Sequence, residues 1–195
     1  MDKGNFRQTV LETERLLLKE LNPEIMYNLF NFYSDQEIIA FMGLRSENEL
    51  ELEKRKFDEG YTTFNTSFKH FLILDKKTAM VIGKTGFRVW HMHHYRAEIG
   101  YAIHDERYLN KGYMTEANRA LIKFGFEQMG LNRIEAFAGP GNIPSNRLLE
   151  TLGFTKEGLL RQHYFKNNRM EDSVCYGLLK EEYDTFTTPG LPAGR

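Results

Sequence analysis

Hydrophobic positions change their spacing several times along the chain, from the alternation of β-strands to the three- and four-residue spacing of amphipathic helices. Strand patterns occupy residues 15–21, 68–74, 79–90, 96–104, 134–138, 158–165 and 170–179. Helical patterns, counted with their capping residues, occupy residues 23–34, 47–59, 112–130 and 142–153. This alternation predicts a mixed α/β (α+β) domain with an antiparallel meander in the middle of the chain.

Capping and turn residues mark several of these boundaries. Pro23 stands where the first helical residue is expected, and Asn142 can cap the last predicted helix. Gly130 is placed just past the end of the third helix, where a left-handed residue is common. Residues 166–169, Lys-Asn-Asn-Arg, predict a tight turn between the last two strands.

The length of 195 residues favours one domain, which we assign to residues 10–184, with flexible tails at 1–9 and 185–195. No apolar run approaches the roughly 20 residues that cross a bilayer, and the N-terminus lacks a signal-peptide pattern. A net charge of −1 with mixed signs gives no basic field for nucleic acid. The sequence predicts a cytoplasmic protein with neither a membrane nor a nucleic-acid partner, and leaves a homodimer open.

Residues suited to a disulfide or a metal are few. Cys175 is the single cysteine, so the chain forms no internal disulfide and has no CxxC zinc motif. His91, His93 and His94 lie close together, but no carboxylate or cysteine spacing accompanies them. We therefore interpret these histidines as a turn between strands and expect no metal.

One segment carries most of the chemistry that the residues alone suggest. Between Glu98 and Ala117, a strand runs through a polar loop, which contains Lys111 and Gly112, straight into an amphipathic helix. The unpaired backbone N–H groups of such a helix start, with the positive end of the helix dipole, form an anion site suited to a diphosphate. Taken alone, the same residues also fit an ordinary helix start.

The stretch from Leu109 to Ala117 resembles the acetyl-CoA loop of the GNAT superfamily, whose general pattern is Arg/Gln-x-x-Gly-x-Gly/Ala. Gly112 matches the first glycine. Leu109 replaces the usual Arg or Gln. A large apolar residue at this position is common in the RimJ/RimL-like branch of ribosomal-protein N-acetyltransferases. Met114 replaces the second small residue, so its side chain must point away from the phosphates while backbone amides bind them.

A second resemblance begins at Asn142 and ends at Gly158, where the family has an Asn-x-x-Ser/Ala segment followed by Leu-Gly-Phe and Glu-Gly. With their flanking segments, the two resemblances cover roughly residues 13–183. They imply the GNAT fold, a twisted, mostly antiparallel sheet flanked by helices. In that fold, the strands after Arg96 and Arg133 splay apart to admit the pantetheine arm of acetyl-CoA.

The resemblance also implies acetyl-CoA as co-substrate and a set of residues that bind it. The expected set is Tyr101, Ala102, Ile103, Asn110, Lys111, Gly112, Tyr113, Met114, Thr115 and Asn142. Asn142 stands where relatives bind the pantetheine arm, and the amides of residues 110–115 are expected to hold the diphosphate.

Acetyl transfer to an amine needs a base for the amine proton and a proton donor for the leaving thiolate. The resemblance assigns the base to Glu98, although a strand carboxylate there could instead pair with Arg96 or face solvent. Many relatives use a tyrosine as the acid, but that position here is Leu149. Ser145 is the expected donor to the sulfur, and a helix cap is its simpler alternative.

The acceptor is not identified by any residue. An α-amine with a pKa near 7.8 is roughly a quarter neutral at cytosolic pH, whereas a lysine amine near 10.4 is only about 0.1% neutral. This favours a protein N-terminal α-amine, and the resemblance to the RimJ/RimL-like branch implies one of the ribosomal-protein alanine or serine type. We expect it to attack acetyl-CoA directly in a ternary complex, because Cys175 lies away from the motifs. Polyamines, aminoglycosides and a non-catalytic CoA-binding sensor of the same fold are the alternatives.

Overall fold

A computed structural model describes residues 8–60 and 66–187 of the chain. Within these ranges, eight strands form one sheet in the order β1-β2-β3-β4-β5-β6-β8-β7. The strands are β1 (Val10–Glu12), β2 (Leu16–Leu21), β3 (Thr66–Asp75), β4 (Val81–His91), β5 (Arg96–Ile103), β6 (Arg133–Ala138), β7 (Thr155–Lys166) and β8 (Arg169–Leu179). Neighbouring strands are antiparallel except β5 and β6, which run parallel. The predicted mixed, mostly antiparallel sheet is confirmed.

Six helices of the described ranges flank the sheet. They are α1 (Pro23–Phe32), α2 (Asp35–Met42), α3 (Glu47–Glu59), α4 (Tyr113–Glu127), α5 (Ile143–Thr151) and α6 (Lys180–Thr187). Asn22 caps α1, with Pro23 as its first residue, and Asn142 caps α5. Both helix starts therefore lie where the sequence predicts them.

The alternation of side chains along β3 divides the core into two layers. Phe71 and Ile73 point to one face, where they join a cluster that includes Leu121 of α4. Leu72 points to the other face, where it joins a cluster that includes Ile25 of α1. Because successive residues of a strand face opposite sides, a near-continuous apolar strand is buried on both faces. The sheet therefore separates a layer of α1, α2 and α3 from a layer that contains α4.

The parallel contact between β5 and β6 is short. Residues 96–98 of β5 pair with residues 133–135 of β6, and the pairing ends there. β5 continues along β4 to Ile103, whereas β6 continues along β8 to Ala138. The predicted splaying of these two strands is confirmed, and it leaves an opening in the middle of the sheet.

The helix predicted from Pro23 to about Ser34 is present, but a second helix that the sequence did not predict follows it. α1 ends at Phe32, and α2 begins after Ser34, whose side chain forms a reciprocal capping box with Glu37. The Ser-x-x-Glu signal of this cap is present in the sequence. α2 escaped prediction because polar residues 34–37 interrupt the apolar spacing of α1, and its eight residues are too few to show a clear period by themselves.

Two short elements near the ends of the domain also differ from the prediction. β1 is three residues long and adds an edge strand beside β2, and α6 follows directly after β8. Thr9, in the predicted N-terminal tail, donates its N–H to Glu20 Oε2 at 2.9 Å. Residues 1–7 and 188–195, most of the two predicted tails, lie outside the described residues, so the domain bounds 10–184 stay a prediction.

The predicted turns take the backbone conformations that their residues favour. Residues 92–94 form a 3₁₀ turn between β4 and β5, as expected for the histidine segment. Asn167 and Asn168 both have positive φ, 52° and 58°, between β7 and β8. Gly130 is left-handed at φ 68°, but α4 ends earlier than predicted, with Gln128 as its C-cap.

Across residues 8–60 and 66–187, no group of three or more His, Cys, Asp or Glu side chains is arranged to hold a metal ion. None of the helices in that part of the chain is both long and apolar enough to span a bilayer.

His70, on β3, has a buried nitrogen without a partner. Its Nε2 is inaccessible to solvent and makes no hydrogen bond within the described residues. Gly86 stands opposite on β4, where a Cβ atom would collide with the backbone of His70. Burial first, and then the positive charge of Lys84, lowers the pKa of His70 to about 4. The imidazole is therefore neutral in the folded protein at neutral pH.

We expect His70→Phe to flatten the acid dependence of stability. The unfolded chain protonates this histidine below about pH 6.5, whereas the folded protein does so only below about 4, so stability is lost as the pH falls between these values. The loss reaches roughly 2.5 kcal/mol at pH 4.5. Denaturant unfolding of both proteins at pH 7 and pH 4.5 measures it. If the free energies of unfolding of the wild type and His70→Phe differed by the same amount at pH 7 and pH 4.5, this account of His70 would be contradicted.

Candidate active site

A cleft of about 680 Å³ opens where β5 and β6 separate. The second half of β5, the loop before α4, the first turn of α4 and the start of α5 border it. Ten of the twelve predicted site residues line it: Tyr101, Ala102, Ile103, Asn110, Gly112, Tyr113, Met114, Thr115, Asn142 and Ser145. Glu98 and Lys111 are not part of this lining. The structure therefore brings together the two segments that the sequence analysis selected.

Gly112 starts α4 in a left-handed conformation, with φ 77° and ψ 0°. The first intrahelical bond runs from Glu116 N–H to the carbonyl of Gly112 at 3.0 Å. The amides of residues 113–115 precede this bond, and no side chain of the described residues caps them. Their N–H groups and the helix dipole together form an anion site at the edge of the cleft.

The side chains around this helix start turn toward the core. Tyr113 and Met114 are partly buried against the core cluster that contains α4. Asn110 is also left-handed, at φ 57°, so two left-handed residues within three fold the loop tightly. Met114 contacts the core cluster and also lines the cleft, so the expected direction of its side chain away from the phosphates stays a prediction.

At the opposite wall, α5 begins with Asn142 as its cap. Asn142 Oδ1 accepts a hydrogen bond from Ser145 N–H at 3.3 Å. The Ser145 hydroxyl is therefore not the helix cap, which corrects that alternative. Instead, Ser145 Oγ lies 2.8 Å from the hydroxyl of Tyr101, which reaches across from β5.

The tyrosine that meets Ser145 in the cleft comes from a strand. Leu149, which stands where many relatives have a tyrosine, is 1% exposed and belongs to the core. Tyr101 brings its hydroxyl to Ser145 from β5. Burial raises the pKa of Tyr101 above its ordinary value, so the phenol stays protonated at neutral pH. Two hydroxyl groups, each a donor and an acceptor, therefore lie side by side in the cleft.

Glu98 lies on the other face of β5 from Tyr101. Ala97, Ile99 and Tyr101 contact the core cluster beneath α4, so the alternate residues face the layer of α1, α2 and α3. The side chain of Glu98 is 13% exposed and pairs with Arg88. The alternative partner, Arg96, bonds Glu135 at 2.6 Å instead. A carboxylate on one face and a hydroxyl pair on the other thus flank the point where β5 and β6 separate.

Arg88 is the functional candidate that the sequence analysis missed. It lies at a β-bulge, because the β4–β5 register shifts between Phe87 and Val89. Arg88 lines the cleft, and a Cβ atom on Gly100 would collide with its side chain. A glycine inside a strand often marks such a close approach, so Gly100 was the available signal. The bulge itself leaves no pattern in the sequence.

The chain has clear relatives. The family profile of the acetyltransferase (GNAT) domain matches residues 15–155. The N-acetyltransferase p20 of Bacillus licheniformis is 36% identical over 174 residues, which cover 89% of this chain and 97% of p20. The [Ribosomal protein uS5]-alanine N-acetyltransferase of Escherichia coli is 25% identical and covers 99% of this chain and 98% of its own.

A solved structure of a spermidine N-acetyltransferase SpeG mutant from Vibrio cholerae superposes with a TM-score of 0.64. It is 20% identical and covers 88% of this chain and 99% of its own, so it shows the shared fold. The chain belongs to the GNAT acetyltransferase family. It is an acetyl-CoA-dependent N-acetyltransferase whose homologues include ribosomal-protein N-acetyltransferases.

We expect Gly112→Ala to weaken acetyl-CoA binding. An alanine must hold the left-handed conformation, at a cost of about 1 to 2 kcal/mol, or move the amides that follow it. The matched control is Gly130→Ala, because Gly130 is also left-handed, at φ 68°, but lies outside the cleft lining. Both variants should lose similar thermal stability, whereas calorimetry should detect weaker acetyl-CoA binding in Gly112→Ala alone. Equal affinities in the two variants would remove Gly112 from the binding site.

Proposed function

We propose that this enzyme acetylates the α-amine of protein N-termini, of the ribosomal-protein alanine or serine type. The observation that carries the proposal is the cleft at the separation of β5 and β6. It has an uncapped helix start at one edge, the Tyr101–Ser145 hydroxyl pair on one face of the sheet and Glu98 on the other. This arrangement supports a donor and an acceptor that meet from opposite faces.

The residues present fit acetyl-CoA, whose thioester supplies the acetyl group when bound. The amides of Tyr113, Met114 and Thr115 would hold the diphosphate, since they have no other acceptor in the described part of the chain. Asn142, in the lining of the cleft, would bind the pantetheine arm. The opening between β5 and β6 exposes backbone groups that an extended arm can meet.

Glu98 and Ser145 would handle the protons. As the new carbon–nitrogen bond forms and the carbon–sulfur bond breaks, Glu98 takes the proton that the amine gives up, directly or through water. Ser145 Oγ donates a hydrogen bond to the departing sulfur, and Tyr101 in turn donates to Ser145 Oγ. Glu98 then releases its proton to solvent, and the coenzyme A thiolate takes up one proton from solvent, so charge and atoms balance.

Direct attack by the amine is supported by the environment of Cys175. Burial first, and then the negative charge of Glu157, raises the pKa of the Cys175 thiol above its ordinary value. The thiolate is the nucleophilic form of cysteine, so this thiol is a poor acyl carrier at neutral pH. Cys175 also lies outside the cleft lining.

The charges near the acceptor face favour an α-amine over a polyamine. A polyamine carries several positive charges, and each needs an unpaired carboxylate in the site. Here Glu98 pairs with Arg88, and Glu135 pairs with both Arg96 and Arg133. Arg88 moreover brings a positive charge to the cleft itself. A single amine next to neutral peptide groups meets less repulsion there.

We expect Glu98→Gln to lower kcat for an N-terminal alanine or serine peptide by about 10²-fold or more, because general-base catalysis is lost. Its residual activity should rise about fourfold toward pH 9, since the neutral fraction of the α-amine rises from roughly a quarter to nearly one. Mass spectrometry of a panel of peptides, polyamines and aminoglycosides measures the product. The matched control is Glu171→Gln, on the β7–β8 hairpin, where Glu171 pairs with Arg169.

A non-catalytic CoA-binding sensor of the same fold would respond differently to these variants. Ser145→Ala should also lower kcat, by about tenfold, through loss of one hydrogen bond to the sulfur. If neither Glu98→Gln nor Ser145→Ala slowed the turnover of any accepted amine, the catalytic roles assigned to them would be wrong. Absence of turnover by the wild-type protein, with acetyl-CoA binding intact, would favour the sensor.

We expect Arg88→Gln to increase kcat/KM for spermidine by about tenfold, because it removes a repulsive charge and unpairs Glu98. Activity on the alanine peptide should not increase. The control is Arg169→Gln, which removes the same charge on the exposed hairpin. Competition between peptide and spermidine in one reaction gives the ratio directly. A wild-type enzyme that prefers spermidine would overturn the proposed acceptor class.

A further inference from the structure

Glu116, in the first turn of α4, is fixed by the chain just before β2. Its Oε1 accepts hydrogen bonds from Thr13 Oγ1 at 2.6 Å and from the backbone N–H of Arg15 at 2.8 Å. Its Oε2 accepts from Arg15 Nε at 2.6 Å. Three hydrogen bonds, two of them from Arg15, therefore connect segments about 100 residues apart in sequence. None of these contacts has a role in the chemistry proposed above.

The guanidinium of Arg15 also contacts the loop before α4. Nη1 donates to the carbonyl of Lys111 at 3.2 Å, and the guanidinium carbon lies 4.1 Å from the centre of the Tyr113 ring. Nη2 lies 3.6 Å from the position that a Cβ atom on Gly112 would occupy. Arg15 thus contacts the residues on both sides of Gly112, and its side chain is 38% exposed.

We propose that Arg15 is a donor-binding residue that holds the 111–113 loop in place and presents a positive charge beside the amides that receive the diphosphate. Glu116 acts through Arg15 as its positioning residue. A guanidinium has five N–H donors, and the contacts to Glu116 and Lys111 use two of them. The others are available to an anion at the helix start. This inference rests on the proposed binding of acetyl-CoA at that site.

The charge on Glu116 makes Arg15 necessary. A carboxylate in the first turn of a helix would otherwise repel a diphosphate bound at the same helix start. Although burial raises it, hydrogen bonds from Thr13 and from Arg15 hold the pKa of Glu116 below its ordinary value, so the carboxylate is ionised. Arg15 neutralises this charge and still leaves N–H groups that face the loop.

The test compares donors that differ in their phosphates. Arg15→Gln should raise the KM and Kd for acetyl-CoA by at least about tenfold, the effect of one lost charge-assisted interaction. With S-acetylpantetheine, which has no phosphate, the factor by which Arg15→Gln raises KM and Kd should be about tenfold smaller. With 3′-dephospho-acetyl-CoA, which keeps the diphosphate, the loss should equal that with acetyl-CoA. A loss that disappears with the dephospho donor would overturn the assignment to the diphosphate.

Two further variants separate binding from folding. Arg107→Gln is the matched control, because Arg107 pairs with Asp105 just before the loop and is 71% exposed. It should keep the wild-type KM for acetyl-CoA. Arg15→Lys keeps the charge but loses the paired geometry, so its KM should lie between those of the wild type and Arg15→Gln. If Arg15→Gln does not fold, Arg15→Lys can be compared with the wild type on the same set of donors.

Glu116→Gln leaves the guanidinium in place but weakens its fixation. We expect a smaller rise in KM than in Arg15→Gln, and a double variant no worse than Arg15→Gln alone, because the two residues act as one unit. If all Arg15 variants raised KM by the same factor for acetyl-CoA and for S-acetylpantetheine, Arg15 would have a merely structural role and the inference would be refuted. Failure of the proposed function is distinct, since the wild-type protein itself would then not bind acetyl-CoA.

Discussion

The short parallel contact between β5 and β6 is the feature on which the rest of the site depends. These strands pair over three positions, and then β5 follows β4 while β6 follows β8. Backbone N–H and C=O groups that leave a sheet must find other partners. Here they border a cleft, where an extended ligand with amide groups can satisfy them. The sheet therefore provides a binding site without losing either of its two core layers.

Charge is distributed differently at the two sides of this opening. On the proposed donor side, an uncapped helix start and Arg15 provide positive charge, and the nearby carboxylate of Glu116 is paired with Arg15. On the acceptor side, Glu98 and Glu135 are paired with arginines. The alternation of β5 keeps Glu98 and Tyr101 on opposite faces. In the proposed reaction, the proton acceptor and the hydroxyl donor therefore act from opposite faces of the strand.

Local sequence signals predict the elements whose pattern is strong and whose ends are marked. α4 has a regular apolar stripe and begins at Gly112, and Asn142 caps α5 where the sequence places it. α2 was missed, although its Ser34 capping box is visible, because its eight residues carry only a short apolar pattern. The three-residue β1 is too short to show a period at all. Pattern length and capping chemistry thus set what can be predicted.

The sequence by itself determined the class of fold from its local patterns, because helix starts and caps depend on neighbouring residues. Its resemblance to the GNAT family identified the two segments that line the cleft. Tertiary structure alone decided how side chains from distant segments meet. Arg88 reaches Glu98 through a bulge, Tyr101 reaches Ser145 across the opening, and Arg15 reaches Glu116 from the other end of the chain. Such pairs depend on strand register and on the separation of β5 from β6, and no local pattern encodes those distances.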